Sequence, residues 1–225
     1  MTSIRKTFLT MLAVCLGLGL GAADAEAQPC PMVVLADTTL AGDLICQPGY
    51  SGPAVDIQAS GVTFDGGGFK IIVGNDGSGY GVQTFNVDDV VVQNVHIEFA
   101  RIGVFFSNAN NLTVKDSLIT SVPPTPAYVT RVTRGFQGGG SNGVTISNTT
   151  VNAQESPLSV STMSGAVFED SVFHSIGWYS ILINFNDATL ARNTFSSDAV
   201  YGVQVTGSRN TINANTFGPY SDIGL

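Results

Sequence analysis

Apolar residues recur along this chain at a long, fixed interval rather than at the short spacing of a helix. One column runs Val92, Val114, Ile146, Phe168, Leu190 and Ile212, at successive offsets of 22, 32, 22, 22 and 22. A second column follows five positions behind: Ile97, Ile119, Val151, Phe173, Phe195 and Phe217. A third runs Val82, Val104, Phe136, Leu158, Ile181 and Val203, at 22, 32, 22, 23 and 22. An amphipathic helix repeats every three to four residues, so three columns sharing a period in the twenties point instead to a solenoid. The columns are filled by β-branched and aromatic residues, no helical stretch separates them, and the consensus of leucine-rich repeats is absent. The pattern therefore predicts an all-β parallel β-helix of about 22 residues per coil and about six to seven coils, each coil folding three short strands around a triangular core. Stacked coils lie about 4.8 Å apart. A buried Val, Ile or Phe contributes about 1.5–3 kcal/mol before ordering entropy is subtracted, so one coil cannot stand alone but a stack can.

Polar residues mark the corner behind the first column: Asn94, Asp116, Asn148 and Asp170, then Asn193 and Asn215 one position later. Asn and Asp tolerate a tight bend and bond nearby backbone, and stacked amides can bond from coil to coil. This is read as a structural ladder, although on a list these residues look catalytic. The longest interval, 32, is one coil plus an insertion of about ten, placed at 121–134, where Pro123, Pro124 and Pro126 forbid regular pairing. Residues 54–225 are expected to be the β-helix, ending without a visible cap after Pro219, which would allow end-to-end self-association through an open coil.

Residues 1–27 read as a secretory signal: Arg5 and Lys6, an apolar run Phe8 to Leu20, and small residues ending at Ala27. The run is too short for a membrane span and no other stretch would cross one. Export places Cys30 and Cys46 in an oxidising compartment, where a disulfide is the default and a pair of free thiols the alternative. The bridge would pin residues 28–53 as an N-terminal cap segment. The formal net charge is -8, which makes nucleic acid a poor partner. A polyanionic sugar would need a local basic patch or a bridging cation.

The segment from Cys30 to Cys46, then Ala54 to Ile57, then Val62-Thr63-Phe64-Asp65-Gly66-Gly67-Gly68-Phe69-Lys70-Ile71, resembles the opening of secreted right-handed parallel β-helix proteins of the pectin-lyase-like superfamily. The resemblance covers about residues 30–225 and implies a right-handed helix. It also implies a range of roles: polysaccharide lyases, hydrolases, epimerases, tailspikes and adhesins. The catalytic sets of that superfamily are incomplete here. The acidic pairs Asp88-Asp89 and Glu169-Asp170 lack a third partner for a pectate-lyase-like calcium site. The two histidines lie in Val95-His96-Ile97 and Phe173-His174-Ser175, not in Gly-His-Gly, and the Asp-Pro-His of alginate epimerases is absent.

Three clusters remain as candidates, each set against an ordinary surface or turn role. His96 and Glu98 flank the inward Ile97 and point outward. Glu98 shares its column with Thr120, Asn152 and His174, and the insertion would bring Tyr128, Arg131 and Arg134 near Arg101. Here His or Glu could move a proton and arginine could neutralise an acidic sugar. Tyr179 and Tyr201 stand 22 apart beside Trp178 and, with Tyr128, offer flat apolar surface to sugar rings. Asp88 and Asp89, with Asn86, supply oxygen ligands of the kind calcium takes, though their column reads as a corner. No cofactor is otherwise indicated. The sequence thus favours an exported, periplasmic or extracellular, non-catalytic β-helix that binds a polysaccharide or cell-surface glycan, or another surface partner. A lyase or epimerase acting on a uronate polymer is the alternative.

Overall fold

The computed structural model describes residues 29–74, 79–120, 132–176, 181–198 and 202–218. They form a right-handed parallel β-helix with no α-helix among them. Three parallel sheets of eight strands each wrap the core, and each sheet takes every third strand of the chain, so the stack climbs about seven turns. The coil Ile102–Ser107, Thr113–Lys115 and Leu118–Thr120 shows the unit: one longer strand in the first sheet, then short strands in the second and third.

The three apolar columns are the three inward rows. Val104 pairs with Val82 and Phe136, Val114 with Val92 and Ile146, and Ile119 with Ile97 and Val151. All are fully buried. In the third sheet the row becomes aromatic: Phe173, Phe195 and Phe217 stack with ring centroids 5.4 and 5.5 Å apart. Register survives the insertion, because Ile102 pairs with Arg134 as directly as it does with Tyr80. Most of the insertion, residues 121–131, lies outside the described residues, as does the expected signal at 1–27.

The lead-in segment is itself a coil. Met32–Val34, Thr38–Thr39 and Leu44–Ile45 each pair with the strand above, one in every sheet. The Cys30–Cys46 disulfide closes this first coil. Sequence columns starting at Val92 pass over the early coils because the spacing there is longer. Phe64 pairs with Val92 at an offset of 28, and Ile71 pairs with Ile97 at an offset of 26.

The polar corner between the second and third sheets holds Asn94, Asp116, Asn148 and Asp170 at φ of 51°, 52°, 45° and 50°. That left-handed bend suits Asn and Asp. Asn148 Nδ2 donates to Asp116 Oδ1 at 2.6 Å, the coil-to-coil bond expected of a ladder. Arg192 and Ala214 continue the bend. Asn193 and Asn215 belong instead to the next position, an inward row with Ser117, Thr149 and Ser171. There four side-chain oxygens accept a backbone N–H from the preceding coil: Val95 N to Ser117 Oγ, Thr149 N to Ser171 Oγ, Ser171 N to Asn193 Oδ1 and Asn193 N to Asn215 Oδ1.

Candidate functional site

The third sheet turns two rows of side chains outward. The first row is Lys70, His96, Leu118, Thr150, Val172 and Thr194; the second is Ile72, Glu98, Thr120, Asn152, His174 and Ser196. Glu98 sits only 8% exposed although it belongs to an outward row. A carboxylate so shielded needs partners, and Oε1 has two, Lys70 Nζ at 3.1 Å and His96 Nε2 at 3.0 Å. The imidazole contact lies outside hydrogen-bond geometry, and His96 Nε2 is buried with no hydrogen-bond partner. His96 also lines a shallow groove of about 380 Å³ along the polar corner, beside Asn94, Asp116 and Asn148.

Arg101 and Arg134 do not join this cluster. Arg101 is exposed in the turn after the Glu98 strand, where its carbonyl accepts the N–H groups of Thr133 and Arg134 at 3.1 and 3.0 Å. Arg134 opens a strand of the first sheet; its Nη1 donates to Gln137 Oε1 at 2.9 Å and its Nε lies 3.6 Å from Glu155 Oε2. Tyr128 and Arg131, and likewise Trp178, Tyr179 and Tyr201, lie outside the described residues.

His174 stands three coils above His96 with partners of its own. Its Nδ1 lies 2.8 Å from Ser196 Oγ, and its Nε2 lies 3.4 Å from Asp198 Oδ2. The sequence held the signal for the serine: Ser196 follows His174 at an offset of 22, one coil.

Asp88 and Asp89 occupy a corner between the first and second sheets. Asp88 Oδ1 accepts the Asn110 backbone and side-chain N–H groups at 3.0 and 2.9 Å, and Asp89 Oδ1 accepts Asn111 Nδ2 at 2.8 Å. Among the described residues no three His, Cys, Asp or Glu side chains gather as a metal site. The carboxyls held below the usual range lie at a strand end, Asp65, and on corners, Asp170 and Asp187. Asp65 is held there first by the Gly67 N–H, and Asp170 and Asp187 by hydrogen bonds from Arg192 and Arg209. These pairs brace the stack, and as exposed ion pairs they contribute little to stability.

The outer face of the first sheet is a site the sequence columns do not reveal. Between inward Val104 and Phe106, Phe105 points out and stacks on Tyr80, with ring centroids 5.3 Å apart and planes 25° apart. Gln83, Phe105, Gln137, Ser159, Leu182 and Gln204 form one outward row. Ser107, Gly139 and Ser161 stand in the neighbouring row. Gly138 takes an inward place where a Cβ would meet Phe106 O at 2.3 Å, so only glycine fits beside that ring. On the outer face Gly139 adds no side chain, and a cleft of about 400 Å³ there is bounded by Phe105, Gln137, Ser159 and Ser161. It meets a second hollow of about 260 Å³ lined by Leu182, Asn184, Gln204 and Thr206. The missed signal was strand alternation, which puts Phe105 on the opposite face from its neighbours.

No curated protein matches this chain. Two solved structures of PfbA, a surface adhesin of Streptococcus pneumoniae, resemble it at 10% identity, with TM-scores of 0.43 and 0.42. The first match covers 76% of this chain and 48% of that one; the second covers 78% and 66%. The chain thus spans about half of the first adhesin structure. A family model described as periplasmic copper-binding protein (NosD) matches residues 60–225, the greater part of the repeat stack, and the chain belongs to that family.

Proposed function

We propose that the protein binds an extended, neutral glycan along the outer face of the first sheet. The observation that carries this reading is the Tyr80–Phe105 platform continuing into a row of amide and hydroxyl side chains on successive coils. Aromatic faces hold sugar rings by apolar contact, and amides and hydroxyls bond sugar hydroxyls without demanding charge. Coils repeat about every 4.8 Å, close to the advance of an extended glycan per ring, so a chain lying along the axis meets one coil per sugar. The net charge of -8 favours a neutral polymer over a uronate. Affinity electrophoresis tests the reading: Phe105→Ala with Gln137→Ala should weaken retardation by neutral β-linked polysaccharides at least tenfold, about 1.4 kcal/mol. Equal retardation of wild type and variant, or none of either, would sink it. Lyase or epimerase chemistry keeps one supporting contact, His96 with Glu98, but Arg134 is engaged on another sheet.

The protein is exported, to the periplasm or outside the cell, and its Cys30–Cys46 disulfide accords with an oxidising compartment. The family's description names copper. Copper takes imidazole, thiolate or thioether ligands. This chain has two histidines, and they stand three coils apart, about 14 Å at the spacing of strands. Cys30 and Cys46 are tied to each other, and Met163 is 2% exposed in the core. Met32 is packed against the core in the first coil, and among the described residues these side chains do not gather as a copper site. Stoichiometric copper should therefore leave the melting temperature unchanged, and a saturable rise would show the opposite.

A further inference from the structure

We propose that Ser196, His174 and Asp198 form a hydroxyl–imidazole–carboxylate relay on the outer face of the third sheet, which takes the acyl group of a short carboxylic ester. The groups are in reach in the order such chemistry needs: Ser196 Oγ is 2.8 Å from His174 Nδ1, and His174 Nε2 is 3.4 Å from Asp198 Oδ2. With the proton on Nε2, facing the Asp198 carboxylate, Nδ1 can accept the serine proton.

The scaffold holds this geometry. His174 and Ser196 are paired in register on adjacent strands, so neighbouring coils set their separation. Each is anchored by the buried residue before it, Phe173 and Phe195, whose rings stack. On the far side of Ser196 the next coil offers Gly218, where even a Cβ would come within 3.0 Å of Ser196 Cβ. The serine is thus not covered by a neighbouring side chain in its row. Val172 and Ile176, on the His174 strand and just beyond it and both more than a third exposed, supply apolar surface for the acyl chain.

The reaction balances without any co-reactant but water. Ser196 Oγ adds to the ester carbonyl as its proton passes to His174 Nδ1. The intermediate collapses, the C–O bond to the alcohol breaks, and the alcohol leaves with that proton. Water then attacks acyl-Ser196, giving its proton to His174, and the acid departs as Ser196 is reprotonated. Both halves need the oxyanion of a tetrahedral intermediate to be stabilised. The N–H groups of Thr194, Asp198 and Gly218, which surround Ser196, donate to Ser171 O, Ser175 O and Phe195 O at 2.8, 2.9 and 2.7 Å. They are therefore not available to the oxyanion, and each such donor is worth about 10²–10³ in rate. Both halves are therefore slow, and acyl-Ser196 accumulates only from an activated aryl ester, whose phenolate leaves more readily than water clears the resulting alkyl ester.

The test is acylation by p-nitrophenyl acetate and phosphorylation by diisopropyl fluorophosphate, read by intact mass and peptide mapping. One adduct on Ser196 is expected, absent in Ser196→Ala, formed at least tenfold more slowly in His174→Gln, and unchanged when the exposed Ser51 is replaced, Ser51→Ala. No adduct on Ser196 in the wild-type protein would overturn the proposal, as would an equal rate in a folded His174→Gln. The wild-type mapping decides even if the variants fail to fold.

Discussion

Replacing Phe195 by alanine is expected to destabilise the protein by about 3–5 kcal/mol, the range for removing a buried phenylalanine without collapse of its cavity. Phe195 is fully buried, with Phe173 stacked at 5.4 Å on one side and Phe217 at 5.5 Å on the other. In a solenoid each coil leans only on its neighbours. A cavity here therefore loosens two interfaces at once, and backbone pairing holds the strands at a spacing that keeps the gap open. A melting temperature lower by roughly 10 °C, at about 2–4 °C per kcal/mol for a chain of this size, would be the readout. Phe217→Ala is the internal comparison. Its ring is 40% exposed and stacks on one ring of the row, so it should cost less than half as much. Equal losses at the two positions would mean that the stack does not bear the load assigned to it.

The same column shows why so much of the fold was readable. Each inward position must pack against the one above, so the coil period is written directly into the spacing of Phe173, Phe195 and Phe217. Lys70 escaped for the same reason in reverse: it meets His96 at an offset of 26, because the early coils are longer. Outward chemistry carries no such constraint. The convergence expected of Arg134 with His96 rested on where the insertion would carry the chain, yet Arg134 is fixed by strand pairing to Ile102 in the first sheet. Ser196 was recoverable from its one-coil offset to His174, whereas Asp198 was not, since it lies just past the strand that ends at Ser197. The Tyr80–Phe105 platform eluded a search by period because the rings belong to different rows, Tyr80 opposite Ile102 and Phe105 opposite Gln83.

The polar corner poses the sharpest second test, since two neighbouring rows there look alike in sequence and differ in burial. Asn193→Leu is expected to cost about 2–5 kcal/mol, because each buried polar group left without a partner costs about 1–3 kcal/mol. Asn193 is 1% exposed; its Oδ1 accepts Ser171 N at 3.1 Å and its Nδ2 donates to Phe168 O at 2.7 Å and to Asn215 Oδ1 at 3.1 Å. Leucine matches the volume and removes both functions, stranding the Ser171 N–H and the Phe168 carbonyl. Asn193→Ser should recover part of the loss, because Ser117 and Ser171 serve as the acceptor at the same place in other coils. Asn148→Ala, on the exposed row, should cost much less, since water replaces its bond to Asp116 and only the left-handed bend is strained. Melting temperatures that climb from Asn193→Leu through Asn193→Ser to wild type would locate the stabilising ladder in the inward row. If Asn148→Ala proves as damaging as Asn193→Leu, backbone strain rather than buried hydrogen bonding governs the corner.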